Sequence, residues 1–442
     1  MRFPRPTGMV GFVLVWFGQA VSLVGTAMTS FALVYWAYQK TGQATSLALM
    51  GFFAFGPTVL LSPLAGALVD RFDRKRIMIL TDAASALATL AILLLELAGH
   101  LQIWHLYVTG AFAGAFQAFQ FPAYSAAITT MIPKQHYGRA NGMIQVAESG
   151  SGILAPIIAG MLIAFVGMRG ILVIDLISFG VAITTLALVV IPPPRETEAG
   201  RSGRGSLWQE SLYGFRYIFT RPTLIGLQLA ILSANFTGTL VGSIMPAMVL
   251  GRTGNDVTAL GTVFSAGAVG GLVGGLLMSA WGGPRNRPAG VVWGLFLASL
   301  LGNVLYGLDG GLPFWVSAAF FEVLMISVLN GSNQAFWMAK VAPDVQGRVF
   351  ATRRMIAQIT APVAMLIAGP LADRVFEPAM RPGGGLVDRF GWLVGTGPGA
   401  GIGLMYVLFG LVGCVSAAAF WAWRPVREGE RVLADHDLGL GA

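Results

Sequence analysis

The sequence predicts an all-α membrane protein whose twelve transmembrane helices form two pseudo-symmetric six-helix bundles. Of the 442 residues, 55% are hydrophobic and only 11% are charged. The mean hydropathy of +0.71 is too high for a protein whose whole surface faces water. Long apolar runs recur along the chain, and basic residues cluster in every second connection between them. Together these observations predict a polytopic membrane protein.

The apolar runs give the number of membrane crossings. A helix that crosses a bilayer needs about 20 predominantly apolar residues. An even number of crossings leaves both termini on the same side of the membrane. The runs of this length are numbered here as helices 1 to 12, with predicted ranges 9–38, 43–69, 76–98, 103–132, 138–167, 170–191, 222–250, 257–281, 287–308, 313–342, 347–376 and 399–423.

The basic residues predict the orientation. If the N-terminus is cytoplasmic, 22 of the 28 Lys and Arg residues fall in cytoplasmic segments and 6 fall outside. Because positively charged loops stay on the cytoplasmic side, we predict a multi-pass protein of the inner (cytoplasmic) membrane with both termini in the cytoplasm. This placement also accounts for the net charge of +8. The lipid bilayer is therefore an expected partner, whereas nucleic acid is not.

The segment between helices 6 and 7 divides the chain. Pro192-Pro-Pro194 ends helix 6, and the Gly/Ser-rich stretch that follows is typical of a flexible linker. Apolar residues then recur at helical spacing, which predicts an amphipathic helix on the inner membrane surface or packed under the bundle. These residues are Trp208, Leu212, Phe215 and Phe219. The predicted domains are an N-terminal bundle at 1–191, a cytoplasmic linker at 192–221, a C-terminal bundle at 222–424 and a cytoplasmic tail at 425–442.

An internal repeat supports two homologous halves. Gly138-Arg139 at the start of helix 5 recurs 209 residues later as Gly347-Arg348 at the start of helix 11. In both places a Pro precedes the pair and an Ala-Gly pair follows at the same distance. A repeat that joins matched helices predicts a parallel duplication of six helices.

The loop between helices 2 and 3 carries a specific motif. In Gly66-Ala-Leu-Val-Asp70-Arg71-Phe-Asp73-Arg74-Lys75-Arg76, six of the last seven residues are charged. This spacing resembles the loop between helices 2 and 3 of major facilitator superfamily transporters. The resemblance implies that Gly66 lets two helices approach closely, that Asp70 caps or pairs across the domain interface, and that Arg71 and Arg74 hold the loop inside. The equivalent loop after helix 8, residues 282–287, keeps basic residues and lacks the Asp.

The motif implies a gate. We expect Asp70 to stabilise the outward-facing state at the N-terminal end of helix 11, where unpaired N–H groups and the helix dipole favour an anion. Basic residues near that end are expected to assist, namely Arg348, Arg353 and Arg354.

Two further stretches refine the resemblance. The run from Gln334 to Arg354 is similar to the helix 10–11 region of the macrolide and siderophore exporter branch of the superfamily. Gly152-Ile-Leu-Ala-Pro156-Ile-Ile-Ala-Gly160 in helix 5 resembles the antiporter motif, which implies export. Helix 4 lacks the basic residue that drug:proton antiporters carry there, so their proton relay is not transferred to this chain.

Intramembrane acids are the candidates for proton coupling. A charge at the bilayer centre costs about 2.5–3.5 kcal/mol or more, so such residues need a partner, a proton or an aqueous cavity. Glu148 in helix 5 and Glu322 in helix 10 are predicted near mid-membrane, and Asp175 in helix 6 has Arg169 nearby in sequence. The alternative for each is a structural hydrogen bond or salt bridge. Asp82 is placed towards an end of helix 3 and receives no role.

Polar residues within the helices are candidates for the substrate cavity. Helices 1, 4, 7 and 10 line the central cavity in the superfamily, and the alternative is hydrogen bonding between helices. The candidates are Gln19, Gln120, Asn235, Asn333 and Gln358.

The function that follows is secondary active transport. We expect proton-coupled efflux of a small amphipathic organic compound by alternating access, by a monomer whose partners are its substrate, protons and lipid. An importer or facilitator, and a non-transporting sensor or scaffold, remain alternatives. The four His residues lack metal-binding spacing, the single Cys414 precludes an internal disulfide, and no phosphate-binding loop is present. No enzyme activity, metal or cofactor is therefore expected.

Overall fold

The computed structural model describes residues 6–69, 72–192, 214–342, 345–433 and 435, and these are almost entirely helical. The predicted gate residues Asp70 and Arg71, and the linker residues Trp208 and Leu212, lie outside the described residues. The side-chain surroundings of Gly66 and Arg348 are likewise not described. The chain divides into two compact units, Met1–Arg195 with Thr253–Ser265, and Glu196–Arg252 with Ala266–Ala442.

The first unit contains helices 1 to 6. Helices 5 and 6 run on within one helical stretch and meet at Gly167, whose φ of 64° and ψ of −176° break the helix at the predicted boundary. Glycine adopts this left-handed φ without the steric cost that a Cβ would bring. The helical segments are Gly8–Thr41, Ala44–Val69, Arg74–Leu97, Ile103–Met131 and Tyr137–Leu188.

The second unit contains the predicted helices 7 to 12, except for the first turns of helix 8. Helices 9 and 11 each contain a π-helical segment, Ala298–Val304 and Ala372–Phe376. Helix 7 is Pro222–Gly242 with Met245–Arg252, helix 8 is Val257–Trp281, helix 9 begins with Arg287–Leu297 and ends with Leu305–Gly307, and helix 10 is Gly311–Lys340. Helix 11 comprises Gln346–Gln358, Thr360–Leu371 and Glu377–Met380, and helix 12 is Ala400–Ala422. Short helices are Val387–Val394, Arg424–Arg427 and Gly429–Val432.

Ten helical segments in the described part of the chain are long and apolar enough to cross a membrane. Tyr137–Leu188 counts as one of them although it holds two helices. Ile103–Met131 is not among the ten, but its 29 residues reach the length of a crossing. The all-α membrane architecture is confirmed. The count of twelve helices stays a prediction, with which Tyr137–Leu188 and Ile103–Met131 are compatible.

Each unit has an apolar cluster at one end of its helices. In the first unit Phe12, Met78 and Leu186 come together from helices 1, 3 and 6. In the second unit Leu224 and Trp337 belong to a cluster formed by helices 7, 9, 10, 11 and 12. Large side chains with almost no exposure hold the helices in a fixed rotation, which determines where the polar residues point.

The linker helix differs in detail from the prediction. Residues 214–219 are helical, and Ile218 is 1% exposed within the core of the second unit. Phe219, which the predicted apolar stripe included, is 59% exposed. Phe215 stacks on Phe219 with ring centroids 6.2 Å apart. In the described part of this helix, the face that packs on the bundle is therefore the one bearing Ile218.

Candidate functional site

A carboxylate to which the sequence analysis assigned no role takes part in a network of hydrogen bonds in the first unit. Asp82 is 5% exposed. Gln19 Nε2 donates to Asp82 Oδ2 at 2.8 Å, and Gln120 Nε2 donates to Asp82 Oδ1 at 3.1 Å. Gln120 Nε2 also donates to Gln19 Oε1 at 2.8 Å, while the Thr81 hydroxyl donates to Gln120 Oε1. Two predicted cavity residues are thus joined through an acid from a third helix.

Asp82 lies eight residues after Arg74, the first residue of helix 3. At 1.5 Å per residue this is about 12 Å along the helix axis. The sequence did contain an indication of this contact. Gln19 in helix 1 and Gln120 in helix 4 are amide donors at a depth comparable to that of Asp82 in helix 3.

Asp175 is bound by hydroxyl groups rather than by a cation. It is 1% exposed. Thr26 Oγ1 of helix 1 donates to Asp175 Oδ1 at 3.3 Å, and Thr89 Oγ1 of helix 3 donates to Asp175 Oδ2 at 3.1 Å. Ser178 Oγ donates to the Asp175 carbonyl at 2.7 Å. A Cβ at Gly25 would collide with Ser178 Oγ, so glycine permits the close approach of helices 1 and 6 here.

The Arg that lies near Asp175 in sequence has a different partner. Arg169 Nε lies 3.8 Å from Glu96 Oε1, and Arg169 Nη2 donates to the Glu96 carbonyl at 3.3 Å. This pair joins the C-terminal end of helix 3 to the N-terminal end of helix 6. Among the described residues, neither Asp82 nor Asp175 has a cation within ion-pair distance.

Glu148 lies on the polar side of helix 5. It is exposed, as are Asn141 and Gln145, which precede it by seven and three residues. Such spacing places the three side chains on one face of a helix. Val146 and Leu154, which are 66% and 50% exposed, lie on the opposite face. Because the apolar face is the one suited to lipid, the Glu148 face is suited to water.

Glu322 packs against the π-helical segment of helix 9. A Cβ at Gly302 would lie 2.6 Å from Glu322 Cβ, so the glycine makes room for this side chain. Tyr306 and Tyr406 lie within electrostatic reach of the Glu322 carboxyl. Their rings are 5.0 Å apart, and both are almost fully buried. Glu322 therefore belongs to an aromatic and polar cluster inside the second unit.

Two of the three predicted cavity residues of the second unit, Asn235 and Asn333, take part in hydrogen bonds. Asn333 Oδ1 accepts a bond from Trp337 Nε1 at 2.9 Å within helix 10. Asn235 Nδ2 of helix 7 donates to the Ala357 carbonyl of helix 11 at 2.8 Å. Gln358, at the end of Gln346–Gln358, is half-buried. The Asn235 bond joins two helices, as the packing alternative describes, whereas the Asn333 bond lies within one helix. Contact with a substrate stays a prediction for all three residues.

Arg353 is enclosed by aromatic rings. Its guanidinium carbon lies 5.4 Å from the Trp337 ring centroid and 5.1 Å from that of Phe350. Arg353 Nη2 donates to Gln334 Oε1 at 2.6 Å. Arg353 Nη1 is buried and has no hydrogen-bond partner among the described residues. A held guanidinium with an unused donor is suited to receive an anion.

The charged loop between helices 2 and 3 also forms hydrogen bonds to helix ends within the first unit. Asp73 caps helix 3 by accepting a bond from the Arg76 amide at 3.1 Å. Arg74 Nη1 donates to the Ala126 carbonyl of helix 4 at 2.7 Å. Lys75 Nζ donates to the Val189 carbonyl at the end of helix 6 at 2.7 Å. Of the predicted gate residues, Arg74 thus binds a helix end within its own unit.

The motif in helix 5 brings helix 8 close. Ala155 and Ala159 are fully buried, and Pro156 is buried between them. A Cβ at Gly261 would lie 3.0 Å from the Pro156 carbonyl oxygen, and Ser265 Oγ donates to the Ile153 carbonyl at 3.0 Å. Small residues on both helices therefore allow the close contact that the motif implied.

The C-terminal tail binds the second unit through acids. Lys340 Nζ lies 2.7 Å from Asp435 Oδ1 and 3.7 Å from Glu430 Oε1. Arg287 Nη1 lies 3.0 Å from Glu430 Oε1. The Lys340 side chain is only 2% exposed. The tail thus supplies acids to a basic loop that lacks the Asp of its counterpart after helix 2.

Comparison with known proteins places these features in a family context. The family model of the Major Facilitator Superfamily matches residues 15–365. Macrolide efflux protein A of Streptococcus pyogenes is 26% identical over 369 residues, which cover 82% of this chain and 90% of that protein. The multidrug efflux pump Tap of Mycolicibacterium fortuitum is 27% identical over 374 residues, covering 82% and 89%. The enterobactin exporter EntS of Escherichia coli is 23% identical over 309 residues, covering 69% and 71%.

Solved structures agree on the fold. A bacterial homologue of the human lysosomal transporter Spinster, in an inward-facing and unoccupied conformation, gives a TM-score of 0.69 at 16% identity. The match covers 94% of this chain and 97% of that one. A bacterial homologue of the iron transporter ferroportin gives a TM-score of 0.63 at 15% identity, covering 93% and 99%.

Proposed function

The chain belongs to the major facilitator superfamily, and from this premise we propose that it expels a small amphipathic organic compound in exchange for protons. Membership makes it a multi-pass membrane transporter that exports small compounds. The exchange with protons, the class of compound and the residues that act are the proposal. Both termini are cytoplasmic and the transporter acts as a monomer in this proposal.

The observation that carries proton exchange is the position of Glu148. Its carboxylate is exposed on the face of helix 5 that carries Asn141 and Gln145, opposite the apolar face. A carboxylate on a water-facing side of an intramembrane helix is able to exchange protons with that water. Asp175 and Glu322 are further candidates, because each is an acid inside a helix packed against polar or aromatic partners.

The relatives support export and the class of compound. Their names describe efflux of macrolides, of several drugs and of enterobactin. The close contact between Pro156 of helix 5 and Gly261 of helix 8 also supports export, because the helix 5 motif that makes this contact resembles the motif of antiporters. The proposed substrate is therefore a bulky amphipathic molecule, bound near Gln19 and Gln120 in the first unit and near Asn235, Asn333 and Gln358 in the second.

The test is transport by the purified protein in proteoliposomes. Erythromycin, ethidium and enterobactin serve as probes, and pH gradients of both signs are imposed on vesicles with known protein orientation. We expect a probe to accumulate on the side corresponding to the cell exterior only when that side is the more acidic. Accumulation driven in the opposite direction would identify an importer. Equilibration without accumulation under either gradient would identify a facilitator, and both results contradict the proposal.

A further inference from the structure

We propose that Asp175 and Asp82 are the two ends of a proton relay that runs inside the first unit, between helices 1, 3, 4 and 6. This inference rests on the proposed exchange of a compound for protons. It adds to Glu148, which exchanges protons with water in that proposal, a set of buried residues that move protons within the first unit. The relay consists of Gln19, Ser22, Thr26, Asp82, Thr89, Gln120 and Asp175.

The two acids are linked by matching spacings on two helices. On helix 3, Asp82 and Thr89 are seven residues apart, and on helix 1, Gln19 and Thr26 are seven residues apart. Residues seven apart lie on nearly the same face of a helix, about 10.5 Å along its axis. Gln19 binds Asp82, and Thr26 and Thr89 both bind Asp175. The same faces of helices 1 and 3 therefore hold both acids.

Helix 1 carries a further buried hydroxyl between Gln19 and Thr26. Ser22 lies three residues after Gln19 and four before Thr26, which places it on the same face of helix 1. It is 5% exposed, so it points into the packed interior. Its distance along the axis is about 4.5 Å from Gln19 and about 6 Å from Thr26. A hydroxyl with one or two waters spans such distances.

The acids lie at opposite depths. Asp82 is eight residues from the cytoplasmic end of helix 3 at Arg74, and Asp175 is eight residues after the break at Gly167 on the outer side. Each depth is about 12 Å. Asp175 thus receives protons from the outer side and Asp82 delivers them to the cytoplasmic side. Each intervening hydroxyl gives up its own proton as it accepts the next, so one proton moves and no group is oxidised or reduced.

The charged groups near the relay leave both acids able to change protonation state. From helices 1 and 4, Asp82 meets the amides of Gln19 and Gln120, and Tyr124 lies a turn beyond on helix 4. From helices 1, 3 and 6, Asp175 meets hydroxyl groups. The cations at the end of helix 3 bind elsewhere, Arg74 to the Ala126 carbonyl and Lys75 to the Ala187 and Val189 carbonyls.

The relay would couple protons to the proposed substrate through two amides. While Asp82 is ionised, its two oxygens hold the NH₂ groups of Gln19 and Gln120. A protonated Asp82 accepts fewer hydrogen bonds and itself donates one, so the two amides must change partners. Because Gln19 and Gln120 are proposed substrate contacts, a proton on Asp82 changes the groups that the substrate meets.

The first test measures protonation without any substrate. Infrared difference spectra of the reconstituted protein are recorded as the pH is lowered, following the C=O stretch of protonated carboxyl groups. We expect Asp82→Asn and Asp175→Asn each to remove one component of the wild-type band. Asp256→Asn, at an exposed N-terminal turn of helix 8 where the side chain accepts the Thr258 amide at 2.8 Å, is the control for a carboxyl outside the relay. If the C=O band of protonated carboxyl groups is the same in the wild-type protein and in Asp82→Asn, the inference is wrong whatever the transport result.

The second test separates the relay from the transport cycle. In proteoliposomes that contain erythromycin, we expect Asp82→Asn to reduce pH-driven accumulation about 100-fold, the lower end of what a positioned proton-transfer group contributes. Exchange of labelled for unlabelled erythromycin without a gradient needs no net proton movement, so Asp82→Asn should reduce this exchange far less than it reduces accumulation. Thr89→Val should slow accumulation without changing the concentration dependence of exchange, whereas Thr184→Val, an exposed residue of helix 6, should leave both unchanged.

The outcomes are distinguishable from those of the proposed function. If the wild-type protein exchanges erythromycin but no gradient drives accumulation, proton exchange by the transporter is refuted and the infrared test still decides whether Asp82 titrates. If the wild-type protein accumulates erythromycin and Asp82→Asn does so equally well, the relay is refuted and the proposed function stands.

Discussion

Glu148 illustrates how the surroundings of a single side chain decide its role. Position in the sequence puts Glu148, Glu322 and Asp175 inside helices, but their environments in the structure differ. Glu148 is exposed on a polar helix face, Glu322 is packed against Gly302, and Asp175 is enclosed by hydroxyl groups. In the proposed exchange, an acid on a polar helix face suited to water is well placed to bind and release a proton.

A conservative substitution tests Glu148. Glu148→Gln keeps the size and polarity of the side chain but cannot ionise. We expect pH-driven accumulation to fall about 100-fold or more, because a group that binds and releases the proton is removed. Gln145→Glu, one turn earlier on the same face, is a matched control that restores a carboxylate and, in the double variant, is expected to recover part of the transport. Unchanged accumulation by Glu148→Gln would make Glu148 a structural residue.

At the scale of helices and loops, the charged segments indicate the topology and also hold helix ends together through hydrogen bonds and ion pairs. Arg74 and Lys75 bind carbonyls at the ends of helices 4 and 6, and Asp73 caps helix 3. In the loop after helix 8, Arg287 forms ion pairs with Glu430 and Asp435 of the tail rather than with an acid of its own loop. The sequence shows the missing acid of that loop but contains no local sign that Glu430 and Asp435 replace it.

The tail contact predicts a change in stability. The double variant Glu430→Gln, Asp435→Asn leaves the Lys340 ammonium, whose side chain is 2% exposed, without its acids. We expect a loss of about 1–3 kcal/mol in the stability of the second unit, because a buried cation loses its acidic partners and keeps, among the described residues, only the Glu430 carbonyl as an acceptor, to which Lys340 Nζ donates at 3.1 Å. Thermal unfolding in detergent, followed by tryptophan fluorescence, measures this loss.

A compensating variant provides the control for the tail. Adding Lys340→Met to the double variant removes the unpaired cation, so most of the lost stability should return. Glu428→Gln, which breaks the exposed contact of Glu428 Oε2 with Arg424 Nε at 3.0 Å, should change stability by less than about 0.5 kcal/mol. A triple variant no more stable than the double one would show that the ion pairs do not hold the tail.

For the molecule as a whole, the family fold implies that two halves alternate around a central site. The gate proposed for this movement uses Asp70 together with basic residues of helix 11. Arg353 is held between Trp337 and Phe350 and keeps one buried donor atom without a partner among the described residues. This environment is compatible with an arginine that receives an anion in one stage of the cycle.

Neutralising Asp70 tests the gate at this scale. Asp70→Asn keeps the shape of the side chain but removes the charge that would stabilise the outward-facing state. We expect accumulation of erythromycin to be lost, with a size-exclusion profile and thermal stability like those of the wild-type protein. Asp73→Asn is the matched control, because asparagine caps a helix as well as aspartate does. Transport by Asp70→Asn at the wild-type rate would remove the proposed role.

The sequence by itself determined the membrane architecture, the family and the boundaries of most helices. These properties follow from apolar length, loop charge and short motifs, which are local along the chain and act independently of packing. The tertiary structure decided which polar groups meet. Asp82 binds Gln19 and Gln120, Asp175 binds Thr26 and Thr89, and Lys340 binds Asp435. Such contacts depend on the rotation and depth at which distant helices pack, and a single sequence does not specify either quantity for two helices at once.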